Sequence, residues 1–309
     1  MTTPLAPALL ALGLDWCLGE ARRWHPLVGF GAYARALERR LQVPEADGGR
    51  PLRGRVRGTL ATCLAVLPLV VLCAVVCRLP LTGMGLSVLV LYLVIGHRSL
   101  YDHARAVQQA LDWGDLPEAR RRVGLMVSRD TADMSATRVA GAAAESVLEN
   151  GNDAIFGALF WFFVAGAPAA LLYRLVNTLD AMWGYRTPRY RYFGWAAARC
   201  DDLLNFIPAR LTAFSYALAG SCRAALRCWR QQGIQWDSPN AGPVMASGAG
   251  ALHLRLGGGA FYHGQWRVRP ELGEGLEPEP VDIARAMRLV QRALLIWMAV
   301  AAMGALLNA

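Results

Sequence analysis

The chain contains no lysine: all 32 of its basic residues are arginine. This excludes the phosphate-binding lysine of Walker-type nucleotidases, a lysine Schiff base, and the strand lysine of protein kinases. Any phosphate chemistry falls to arginine, backbone N–H groups and metal. The seven cysteines (Cys17, Cys63, Cys73, Cys77, Cys200, Cys222 and Cys228) form no C-x-x-C, and three lie in apolar segments. There cysteine behaves as a small hydrophobe, so neither a zinc site nor a disulfide framework is expected. The five histidines show no H-x-x-x-H or H-E-x-x-H spacing, which disfavours a transition-metal site. Charge is scarce too: 18% of 309 residues, where a soluble chain carries about 25%. With 55% hydrophobic residues, intrinsic disorder is excluded, because that much apolar surface must be buried in protein or lipid.

The apolar residues come in blocks. Residues 58–77 and 79–96 hold no carboxylate, arginine or histidine and are separated only by Arg78. Each approaches the ~20 residues needed to cross a bilayer. Arginines 35, 39, 40, 50, 53, 55 and 57 precede this pair and His97, Arg98, Arg105 and Arg120–Arg122 follow it. The pattern predicts a hairpin with both ends in the cytoplasm, turning at Arg78-Leu79-Pro80. The same rule accounts for the net charge of +9 by anionic lipid, with no nucleic acid partner. Further apolar segments fall at about 4–18, 154–173, 211–222 and 293–308. The first lacks a basic n-region, and Arg22 and Arg23 follow it, so a retained segment is expected over a cleaved signal. Gly166-Ala167-Pro168 leaves 154–173 either a full span or a re-entrant, kinked element. Residues 137–150 predict a helix, Pro117 a helix start, and 265–282 a polar loop. The expected fold is an all-α polytopic membrane protein, one domain over 1–309 with a cytoplasmic helical and loop layer.

Polar residues set among Ala, Leu and Phe carry the chemical signal. Glu145, Glu149 and Asp153 recur at i, i+4 and i+8, where like charges repel unless a cation bridges them. They predict a Mg²⁺ site, with Asp130 a further ligand, against the plain alternative of a solvated acidic stripe. Ser128-Arg129-Asp130-Thr131 suits phosphate and metal together, or else caps a helix at Asp130 or Thr131. Asn177-Thr178-Leu179-Asp180, the aromatics from Trp183 to Trp195, Asp201-Asp202, Asn205 and Arg210 follow at the edges of apolar sequence. Adjacent acids such as Asp201 and Asp202 do not share a helix face, so one of them at most enters a common site. Ser238-Pro239-Asn240 reads as a turn offering anion or amide contacts. Ionisable groups in or beside a membrane mark a site by default.

Several strings together resemble a known family: SRDT at 128–131, AAAESVLENGND at 142–153, YRLVNTLDAMWGYR at 173–186, YRYFGWAAARCDDLLNFIPARLTA at 190–213, SPNAG at 238–242, and the opening LDWCLGEARRWHPLVGFG at 14–31. They resemble the adenosylcobinamide-phosphate synthases, multipass inner-membrane proteins of cobalamin biosynthesis. The resemblance implies an ATP-dependent acid–amine ligase joining adenosylcobyric acid to aminopropanol phosphate or aminopropanol. On that chemistry Asp180, Asp201 and Asp202 are the expected catalytic residues. Arg129, Thr131, Asn150, Asn177, Thr178, Tyr185, Asn205, Arg210, Ser238 and Asn240 are expected to bind substrate, and Asp130, Glu145, Glu149 and Asp153 to bind Mg²⁺. The active face is expected at the cytoplasm, with a homo-oligomer and other corrinoid-pathway membrane proteins as further partners. The family's Pro-Glu after SPNAG is replaced by Val244-Met245, and its Thr-Val-Asp by Gly151-Asn152-Asp153. The rivals are a non-catalytic membrane signalling protein of the β-lactamase-induction type, which would not need acid and amide clusters together, and a transporter. Transport would place polar residues inside several spans, and 58–77, 79–96 and 293–308 hold almost none.

Overall fold

The computed structural model describes residues 4–20, 25–42, 51–79, 83–262 and 264–307. Arg22, Arg23 and Arg50 of the basic flanks, and Pro80 of the expected turn, lie outside the described residues. The chain is almost wholly helical and divides into two compact units.

The first unit comprises Met1–Gly96 and Gly157–Asn205. It holds α1 (Leu5–Leu18), α2 (Pro26–Leu41), α3 (Pro51–Cys77), α4 (Gly83–Val94), α8 (Gly157–Trp183) and the start of α9 (Trp195–Ala219). Helix α2 begins where Pro26 supplies a preset φ and the Leu27 N–H donates to His25 Nδ1 at 3.2 Å. Helix α3 buries Ala61, Ala65 and Val66 and exposes Leu60, Leu64, Leu67 and Val71. A face of small residues against protein and a face of large apolar ones outward is the division a lipid-facing helix requires. Trp183 and Phe193 pack edge to face at 5.1 Å in the core. Beside them the buried Glu38 carboxylate accepts from Trp183, Arg189 and Tyr190. A carboxylate is tolerable there because donors replace its lost water.

The second unit comprises His97–Phe156 and Phe206–Ala309. It holds α5 (His97–Asp112), α6 (Leu116–Val123), α7 (Ala136–Gly151), the rest of α9, α10 (Cys222–Gln232), α11 (Ala241–Leu252) and α12 (Pro280–Leu307). Two antiparallel ribbons complete it: β1 (Arg255–Gly257) with β4 (Glu271–Gly273), and β2 (Ala260–Tyr262) with β3 (Gln265–Arg267). Helices α7 and α11 are buried all round, as their Ala- and Gly-rich sequences require. A Cβ at Gly248 would collide with the Leu148 side chain, so glycine sets how closely these two helices approach.

Among the described residues four helical stretches are long and apolar enough to cross a membrane: Pro51–Cys77, Gly83–Asp112, Ala136–Trp183 and Pro280–Leu307. The all-α polytopic expectation is therefore met, with different boundaries. The segment expected at 58–77 extends back to Pro51, and 293–308 back to Pro280, because amphipathic turns continue an apolar helix without a breaker. Residues 211–222 are not a separate segment: 211–219 are the end of α9, and Cys222 starts α10. The polar loop expected at 265–282 instead contains β3, β4 and the start of α12. The Gly166-Pro168 break is a kink inside α8, with Gly166 at φ 75°. Only the absence of a Cβ makes that angle cheap.

Candidate functional site

The residues singled out from the sequence fall into two groups, one in each unit. In the first unit, Asn177 on α8 faces Asp201 and Asn205 on α9. The amide groups of Asn177 and Asn205 donate to Asp201 Oδ1, each at 3.2 Å, and Asn205 also reaches Oδ2 at 3.1 Å. Tyr173 O–H donates to Asn205 Oδ1 at 2.9 Å, which fixes the amide orientation. Asn205 and Tyr173 are buried. Asp180, one helical turn beyond Asn177, lies within electrostatic reach of both Asp201 and Asp202. Of the adjacent acids only Asp201 enters this network; Asp202 accepts from Arg199 at 3.1 Å. Burial raises the Asp202 pKa, opposed by the charges of Arg199 and Arg186. The Thr178 hydroxyl donates to the Arg174 carbonyl of its own helix, and Tyr185 is exposed.

In the second unit the 128–131 strand of loop is joined to the ribbons. The Asp130 N–H donates to the Phe261 carbonyl at 2.9 Å, and Asp130 Oδ2 accepts from the Gly264 N–H at 2.7 Å. Thr131 turns toward Gly124 and does not cap the next helix. That role falls to Ser135, whose hydroxyl accepts from the Arg138 N–H. Glu145 is buried and accepts three charged or polar donors: Arg129 Nη2 at 2.5 Å, Arg269 Nη2 at 2.8 Å and the Gly257 N–H at 2.8 Å. Burial disfavours the Arg269 charge, but Glu145, joined by Tyr262 and Glu149, raises the Arg269 pKa. The guanidinium also lies 4.4 Å from the Trp236 ring centre.

These contacts show what each residue of the expected metal site touches. Glu145 is neutralised by two arginines, so its oxygens are committed. Asp153 lies beyond Gly151 in a π-helical turn, 152–156, which breaks the i+4 phase with Glu149, and it accepts from Asn152 at 2.9 Å. Glu149 remains near Glu145, Arg269 and Arg129. Among the described residues no group of three His, Cys, Asp or Glu side chains is arranged to hold a metal ion. Asn150 donates to the Ser146 carbonyl one turn back. Arg210, expected to bind substrate, ties α9 to the 236–240 turn through Asn240 Oδ1 at 2.5 Å and the Pro239 carbonyl at 3.0 Å. Ser238 Oγ accepts from the Ala241 N–H, closing the same turn.

A cleft of about 650 Å³ opens between the start of α7 and the ribbons. Its walls include Arg129, Asp130, Asp133, Ser135, Arg138, the Gly257–Gly258–Gly259 turn, Phe261 and Trp266. Gly257 and Gly258 take φ 81° and 73°, and a Cβ on Gly259 would run into the Trp266 indole. Phe261 and Trp266 meet edge to face at 5.0 Å, and the Arg138 guanidinium lies 5.4 Å from the indole centre. Sequence reasoning did not single out Tyr173, Arg138, Trp266, Arg269 or this turn. The triple glycine was the one available signal.

A model of the CobD/Cbib protein family matches residues 8–290. The chain is 56% identical over 299 residues to a Chromobacterium violaceum protein named Cobalamin biosynthesis protein CobD, covering 96% of each chain. A Stutzerimonas stutzeri protein of the same name is 56% identical over 299 residues, covering 97% of each. A Mycobacterium tuberculosis protein of that name is 39% identical over 288 residues, covering 91% of this chain and 89% of its own. No solved structure matches. With the match spanning nearly all of both units, the chain belongs to the CobD/Cbib protein family.

Proposed function

We propose that the chain acts in cobalamin biosynthesis as an ATP-dependent amide synthase, joining adenosylcobyric acid to aminopropanol phosphate or aminopropanol. The observation that carries this reading is the Asp201 network: a carboxylate held by two amides, one of which is fixed by a tyrosine hydroxyl. A carboxylate so fixed suits an amine, which it binds as ammonium and from which it can take a proton. Asp180 lies within electrostatic reach of it.

The chemistry needs activation first. A free carboxylate resists nucleophilic attack, so the γ-phosphoryl group of ATP passes to the corrinoid carboxylate oxygen and ADP leaves. Asp201 takes one proton from the ammonium, the neutral amine attacks the acyl carbon, the carbon–oxygen bond to phosphate breaks, and the second nitrogen proton leaves with the phosphate. Mg²⁺ brought in with ATP would supply neutralisation of charge on the transferring phosphoryl group. Such an ion is held by one or two carboxylates, phosphate oxygens and water, with no dedicated protein cage. We place the reaction at the cytoplasmic face of the inner membrane, where the arginine-rich flanks belong. Homo-oligomers and complexes with other corrinoid-pathway membrane proteins are compatible with this placement.

The purified protein in detergent is expected to consume ATP only with both organic substrates present. Asp201→Asn is expected to cut turnover about 10²-fold or more with an unchanged thermal midpoint. Turnover without either substrate, or none with both, refutes the synthase reading, as does failure to restore cobalamin-dependent growth to a strain lacking the synthase.

A further inference from the structure

The ribbon cleft of the second unit is chemically unlike the Asp201 network. It joins an exposed indole, a guanidinium and a glycine turn to the first turn of a helix. Trp266 and Phe261 are 47% and 43% exposed, a large aromatic surface for residues outside any lipid-facing helix. Arg138 has no ion pair among the described residues and rests on the Trp266 face. Helix α7 starts here, and a helix leaves its first-turn N–H groups without intrahelical acceptors. The other cations of the cleft are engaged: Arg129 by Glu145, and Arg255 by Glu277 at 3.5 Å.

We infer that this cleft binds a purine nucleoside triphosphate as its Mg²⁺ complex. The inference rests on the reading above for the identity of the nucleotide, and on the cleft for its place. A base stacks on aromatic faces whatever its edge groups. Here it takes the Trp266 face that Arg138 covers, and the freed guanidinium turns to the phosphates. Those phosphates lie between the Gly257–Gly259 turn, where the backbone has no side chains in the way, and the start of α7. Asp130, Asp133, Glu271 and Glu277 also line the cleft and would repel bare polyphosphate, so the nucleotide enters with its cation, which needs only one or two carboxylates. The size agrees: about 650 Å³ falls within the ~300–1,000 Å³ that drug-sized ligands occupy. A corrin ring with its amide arms and adenosyl group is larger.

Equilibrium dialysis of the full chain in detergent tests this, with MgATP, adenosine and Mg²⁺-tripolyphosphate as separate ligands. MgATP should bind saturably, and the two fragments each about tenfold or more weaker. Trp266→Ala should weaken MgATP about tenfold and leave tripolyphosphate unchanged, while Trp266→Phe retains most of the affinity. Arg138→Ala should weaken both phosphate-bearing ligands. Trp113→Ala, an exposed tryptophan outside the cleft, should change nothing. If Trp266→Ala fails to fold, the Phe variant and Arg138→Ala still read the two halves of the site. MgATP binding that no cleft variant alters, tripolyphosphate binding as tight as MgATP, or no nucleotide binding, overturns the inference. Cleft-dependent binding without amide product supports the site and overturns the synthase reading. Amide product with cleft-independent binding does the reverse.

Discussion

Glu145 receives two guanidinium groups and a backbone N–H, and its partners lie on three separate segments of the second unit: the 128–131 loop, the end of β1, and the loop between β3 and β4. The carboxylate therefore fixes the cleft wall more than it contributes to chemistry. Glu145→Ala leaves Arg129 and Arg269 buried without their counter-charge, at 9% and 13% side-chain exposure. Removing one partner of a buried ion pair costs about 3–5 kcal/mol. A markedly lower thermal midpoint in detergent, with faster proteolysis within 255–273, is the expected result; a midpoint equal to the parent's refutes the anchoring role. The sequence singled out Glu145 and Arg129 for metal and phosphate, and the structure pairs them with each other. Arg269 lies 124 residues from Glu145, so nothing local could show that the acid was already neutralised.

Helices were legible from composition, and their ends much less so. The Ala-rich 137–150 stretch and the Pro117 start are found as expected, in α7 and α6, because propensity and capping are local. The four short strands were missed: runs of three residues carry too little period for a pattern, and they form only by pairing across the chain. Close helix packing is likewise a pairwise property. A Cβ at Gly58 on α3 would enter the Phe193 carbonyl, whereas at Gly85 on α4 it meets nothing within 4 Å. Gly58→Ala is expected to destabilise by about 1–3 kcal/mol through overpacking. Gly85→Ala should be neutral or stabilise by up to about 1 kcal/mol, the ordinary gain of alanine over glycine in a helix. Thermal midpoints in one detergent compare the two; equal shifts would refute the packing argument.

At the scale of the molecule, the outward faces decide its solvent. Leu64, Leu67, Val71 and Val75 on α3, and Leu295, Val300, Met303 and Leu306 on α12, are exposed. Contiguous apolar surface of this kind is rare on a chain in water. The chain should stay with the membrane pellet after an alkaline carbonate wash and require detergent for release; recovery in the wash supernatant would contradict the spans. The two groups of functional residues belong to different compact units. The linear clustering of acids and amides between 128 and 242 did not reveal that division, since both units are assembled from discontinuous segments.

Composition alone determined that this is a helical membrane chain, that lysine takes no part in its chemistry, and roughly which stretches are apolar. Those follow from transfer free energy and local propensity, which each segment carries by itself. The tertiary structure decided which acid is neutralised by arginine, which of two adjacent aspartates enters the amide network, and that a glycine turn and an indole line a cleft. Those depend on partners distant in sequence, where a few ångströms determine whether a charge is free or already paired.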